Sequence, residues 1–68
     1  VQDYPAALRS IEAAIARAPG SGTYWVLRGQ YLELSGDKGR AVQAYLKALS
    51  LYDSPEATAA LARLGVKP

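Results

Sequence analysis

Residues 22–49, GTYWVLRGQYLELSGDKGRAVQAYLKAL, decide how this chain folds. The stretch holds two apolar patterns of helical spacing, separated by Ser35-Gly36-Asp37. A Gly just past a periodic segment can supply a left-handed C-cap, and the Asp after it is a helix N-cap. At about 100° per residue, Trp25, Gly29 and Leu32 fall on one side of the first helix. A Gly inside an apolar stripe costs about 1 kcal/mol of helix propensity relative to Ala, a cost that makes sense where another helix must come close. Ala41 and Ala48 place small residues in the same way on the second helix, with Tyr45 and Leu49 filling the space beside them. Trp25 is therefore expected as a core wedge rather than a ligand platform.

The same punctuation continues in both directions. Asp3 is a candidate N-cap for a helix over residues 3–18, with Pro5 tolerated in its first turn. Pro19-Gly20-Ser21-Gly22 closes that helix, and two more run over 22–35 and 37–51. Ser54-Pro55-Glu56 reads as N-cap, first position and acidic first turn of a fourth helix over 55–64, which stops at Gly65. No segment alternates with period 2, so no strand is expected. The 68 residues allow one small domain over 1–68 and no second core. Half of them are hydrophobic while the mean hydropathy is only −0.06, so the apolar residues are patterned rather than massed. No apolar run approaches the roughly 20 residues of a membrane span, and no stretch reads as a signal-peptide h-region. The chain begins at Val1 without a Met, and a segment of a longer protein is expected.

Internal repetition sharpens the fold. A shift of 34 residues aligns Asp3 with Asp37, Ala7 with Ala41, Ala14 with Ala48 and Leu27 with Leu61. It also pairs Leu8 with Val42, Ile11 with Tyr45 and Ile15 with Leu49. These matches fall at a cap and at packing positions, where a repeated helix pair would need them.

On these residues the chain resembles the tetratricopeptide repeat (TPR) family, whose pattern runs Trp-x-x-Leu-Gly-x-x-Tyr, then Ala-x-x-x-Phe, then a closing Pro. Trp25 and Gly29 take the Trp and Gly slots, and Ala41-x-x-x-Tyr45 with Ala48 the second half. Asp3-Tyr4, Ala7-x-x-x-Ile11, Ala14 and Pro19 match the second half of a preceding repeat. The resemblance thus covers about one and a half repeats, and it implies an α-solenoid segment of antiparallel helix-turn-helix units. Three positions depart from the pattern: Arg28 for Leu, Leu32 for Tyr, and Asp53 for the second Pro. Arg28 is placed to stack on Tyr24 or Tyr31, or to snorkel along the surface. The fourth helix, with Ala59 and Arg63 in the Trp and Gly slots, is expected as a capping helix with a polar outer face.

Composition argues against chemistry. There is no His and no Cys, which removes the commonest metal ligands and general bases. Asp3, Glu12, Glu33, Asp37, Asp53 and Glu56 are scattered over caps and separate faces. Gly20-Ser21-Gly22-Thr23 lacks the strand and Lys of a phosphate loop and reads as a turn between repeats. No catalytic, cofactor or metal residue is assigned. The net charge of +2, with Lys38, Arg40 and Lys47 as a mild stripe, describes a solvated face and not a nucleic-acid site. The compartment stays open.

Binding remains. Opposite Trp25 lie Thr23, Val26, Gln30 and Leu34, flanked by Leu27 and Glu33. The resemblance implies that this face lines a groove for a peptide or partner helix. Family members that grip the carboxylate tail of heat-shock chaperones carry Lys and Asn there, where this chain has Val26 and Gln30. The expected function is a protein-interaction scaffold. The alternative is a structural capping or oligomerisation segment of a longer repeat protein with no separate ligand. Leu8, Ile11 and Ile15, with Ala7 and Ala14, form a stripe on the first helix whose incomplete cover would give weak self-association.

Overall fold

A computed structural model describes residues 3–66; the outermost two residues at each end of the expected 1–68 domain lie outside the described part. Four helices follow one another: α1 Tyr4–Arg17, α2 Gly22–Leu34, α3 Lys38–Leu51 and α4 Pro55–Arg63. Each packs on the next in the chain, and the α2–α3 contact is the most extensive. The layered stack measures 30 × 26 × 15 Å, the shape of a solenoid segment rather than a closed bundle. The all-α, four-helix architecture is the one expected, and no strand occurs among the described residues.

The helix ends follow from local chemistry. Asp3 accepts from the Ala6 amide and Asp37 from the Arg40 amide, each at 3.1 Å. Ser54 does the same for Ala57 at 3.1 Å, from a site that is itself buried. Each side chain thus satisfies an amide that its helix leaves without an internal acceptor. Between α2 and α3, Gly36 takes φ +93°, which lets Gly36 N–H reach the Glu33 carbonyl at 3.0 Å and Asp37 N–H reach Leu32 at 2.8 Å. That pair of bonds is a Schellman motif, and a side chain at residue 36 would oppose it.

The core lies between α2, α3 and α4. Ala41, Ala44 and Ala48 are fully buried on α3, where they allow α2 to come close through Gly22, Val26, Gly29 and Leu32. Tyr45 lies against Gly29, only 1% exposed, and is the largest side chain buried completely. Trp25 was expected in that role. Instead it is half-buried at the edge of the core, its indole N–H donating to the Pro19 carbonyl at 3.3 Å. Ala57, Ala60 and Leu61 dock α4 on the other side. Burying Leu61 alone contributes about 1.5–3 kcal/mol.

Two further expectations need correction or qualification. The exposed side of α4 is mixed rather than polar throughout: Pro55, Thr58, Ala59 and Ala62 form a small, largely apolar patch, with exposed Glu56 and Arg63 beside it. On α1 no side chain is fully buried: Leu8 reaches the core, while Ala7, Ile11, Ala14 and Ile15 are half-buried.

Candidate functional site

The outward face of α2 is narrower than the sequence suggests. Thr23, Gln30 and Leu34 are exposed, Leu34 to 62%, and Leu27 is half-buried. These four fall within one stripe along the helix. Val26 does not join them: it is 6% exposed and belongs to the core cluster. The correction has a physical cause. Taking Trp25 as the centre of the buried arc leaves Val26, about 100° further round the helix, outside it. The arc is instead centred on Gly22 and Gly29, which lie against side chains of α3 and its C-cap. Glycines add nothing to an apolar pattern, so the true centre of burial is invisible in hydrophobic spacing.

Glu33, expected only as a flank, is the best-connected polar group of the face. Its Oε1 accepts from the Tyr45 hydroxyl at 2.6 Å and from Arg63 Nη2 at 3.2 Å, while Oε2 pairs with Arg63 Nη1. One carboxylate therefore joins α2, α3 and α4. The Arg63 hydrogen bonds hold its carboxyl below the ordinary 4.5; burial opposes them, and the Tyr45 hydrogen bond adds to the lowering. Burial, then the hydrogen bond to Glu33, pushes the Tyr45 hydroxyl above its ordinary 10.0. At neutral pH the acid is charged and the phenol protonated, which suits a structural joint better than proton transfer. Gln30, Glu33, Leu34 and Arg63 surround an open recess of about 300 Å³. The sequence gives Tyr45 away through its spacing from Ala41; nothing local connects Arg63 to Glu33, since α4 docking brings them together.

On the other side of α2, Arg28 resolves differently from either expected tyrosine stack. Its guanidinium lies 5.7 Å from the Trp25 ring centre and donates through Nη2 to Glu12 at 3.2 Å, tying α2 to α1. Lys47 of α3 lies 6.0 Å from the same ring. Arg28 Nε is buried there without a hydrogen-bond partner. A second recess, of about 380 Å³, opens between α1 and Tyr24, lined by Ser10, Ala13, Ala14, Arg17 and Ala18. Among the described residues no three His, Cys, Asp or Glu side chains gather where a metal ion could be held, and no helix is long and apolar enough to cross a membrane.

A family model described as tetratricopeptide repeat matches residues 1–57. No curated protein and no solved structure gives a significant match.

Proposed function

Because this chain belongs to the tetratricopeptide-repeat family, we propose that it is a protein-interaction module that holds a peptide or partner helix against the outward face of α2. Thr23, Gln30 and Leu34 make the contact, Leu27 and Glu33 border it, and Val26 supports it from the core. The observation that carries this reading is the exposed Leu34 beside the recess that α2 shares with Arg63 of α4. An exposed Leu at the rim of a recess with three polar side chains, Gln30, Glu33 and Arg63, has the mixed character of a recognition surface. Peptides selected from a random display library against the chain supply the test. Leu34→Ser and Gln30→Ala should weaken the selected binders at least about fivefold, and Lys47→Ala should not. Binders indifferent to both substitutions would place recognition elsewhere.

The structural alternative has an observation of its own, the half-buried α1 stripe of Leu8, Ile11 and Ile15. An apolar stripe left uncovered is an association surface. Sedimentation of wild type and Ile11→Glu at rising concentration distinguishes the two. A dimer abolished by the substitution supports association through α1, and a monomer throughout leaves the α2 face as the reading to pursue.

A further inference from the structure

We infer that Arg63 is a pre-oriented anion receptor, and that the recess between α2 and α4 takes an acidic side chain of a partner segment, with a neighbouring apolar residue resting on Leu34. This preference rests on the α2-face reading above and gives that face a chemistry. The guanidinium donates once from each Nη to Glu33. A guanidinium carries five N–H groups in a fixed plane, so Nε–H and one hydrogen on each Nη are not used by Glu33. The Arg63 side chain is 61% exposed against 16% for Glu33, so the pair shows its cation to solvent and hides its anion. Glu33 is itself held by the Tyr45 hydroxyl, whose ring is buried. The arginine has therefore given up much of its rotamer freedom before a partner arrives, which lowers the entropic cost of binding.

Charge around the recess selects the sign of the ligand. Glu33 and Arg63 are the charged residues that line the recess, and of the two it is the Arg63 cation that faces solvent. An incoming ammonium or guanidinium finds little of Glu33 open, since its side chain is 16% exposed and already accepts from Arg63 and Tyr45. An incoming carboxylate displaces nothing and gains a charge-assisted hydrogen bond from donors already in place. Leu34 at the rim provides an apolar shelf, and the exposed Gln30 amide a further N–H donor.

The test uses the full chain, labelled with nitrogen-15, and three end-blocked peptides, Ser-Ala-Leu-X-Leu-Ala-Ser, with X as Asp, Asn or Lys. Titrations at low salt are followed by amide and arginine side-chain resonances. The Asp peptide is expected to shift Gln30, Leu34 and the Arg63 side chain, and to bind about fivefold more tightly than the Asn peptide. Arg63→Gln should bring the Asp peptide down to the Asn level, and Arg63→Lys should keep part of the difference. The comparison of Asp with Asn on wild type needs no variant and stands even if one misfolds. Equal binding of Asp and Asn peptides on the α2 face overturns the anion assignment and leaves the α2-face reading intact. Tighter binding of the Lys peptide overturns it in favour of Glu33 as the receptor. Shifts confined to other faces, or no shifts at all, would sink both readings together.

Discussion

Gly29→Ala sets two effects of opposite sign against each other. In a helix interior Ala is favoured over Gly by about 1 kcal/mol. In this fold a Cβ at residue 29 would stand 2.7 Å from Tyr45 Cε1 and 2.9 Å from its Cδ1 and Cζ. Carbon atoms prefer roughly 3.5–4.0 Å, so the ring must retreat by about 1 Å. It has little room to do so, being 1% exposed and tethered through its hydroxyl to Glu33 at 2.6 Å. Overpacking costs about 2 kcal/mol and partial loss of the charge-assisted hydrogen bond about 1 more. Against the propensity gain, the net loss is about 2 kcal/mol. In a domain of this size that corresponds to a melting temperature lower by about 8–16 °C, read by circular dichroism. Gly39→Ala is the control, since a Cβ there meets nothing within 4 Å, and it should melt higher than wild type. Tyr45→Phe should cost less on the Gly29→Ala background than on wild type, because the first substitution already strains the tether. If Gly29→Ala melts at or above wild type while Gly39→Ala behaves as expected, the α2–α3 close approach is wrong and the repeat register falls with it.

Gly22→Ala should lose less stability than Gly29→Ala, by about 1 kcal/mol or more in paired melts. Its Cβ would also meet a ring, at 2.1 Å from Tyr52 Cδ1, but Tyr52 is 40% exposed and can swing away, which leaves the tight 3.3 Å approach to the Ala48 carbonyl oxygen as the remaining cost. Trp25→Ala should cost about 2–3 kcal/mol, short of a fully buried Trp, because the indole is only half-buried; urea titration measures it. Glu33 has a carboxyl lowered in the fold, so it contributes stability that is present above 4.5 and lost as pH falls through its folded value. Melts at descending pH should therefore show a shallower acid limb for Glu33→Gln than for wild type, and parallel limbs would remove Glu33 from the linkage. Tyr45 has the opposite sign: its raised hydroxyl contributes stability that is present below 10.0 and lost at higher pH, a loss that Tyr45→Phe should remove.

Much of the fold was legible because caps and small residues are local signals. Asp3, Asp37 and Ser54 each accept the amide three residues on, and Gly36 takes the left-handed turn its position called for. The candidate site was less legible, for two separate reasons. Val26 was placed outward because Trp25 dominates an apolar pattern, whereas two glycines fix where α3 touches α2. Arg63 could not be joined to Glu33 by spacing, since their meeting depends on how α4 docks through Ala57, Ala60 and Leu61. Arg28 shows the same limit in part. Helical spacing places Trp25, three residues before it, as near as Tyr24 or Tyr31, and the fold takes Trp25; only Glu12 comes from packing against α1 and is out of reach of spacing.

The position of Glu33 bears on how recognition and stability can be separated in this chain. Its carboxylate borders the outward face of α2 and also joins that helix to Tyr45 of α3 and Arg63 of α4. Removing it would take away a border of the proposed contact and leave the buried Tyr45 hydroxyl without its acceptor, so a loss of binding would report both changes at once. Gln30 and Leu34 lack that ambiguity: both are exposed, and neither belongs to the core cluster. Substituting them should leave melting within about 0.5 kcal/mol of wild type. A partner that senses Gln30 and Leu34 while the melt stays fixed is contacting the face itself. A partner that senses only Glu33 is responding to how α2, α3 and α4 are held together.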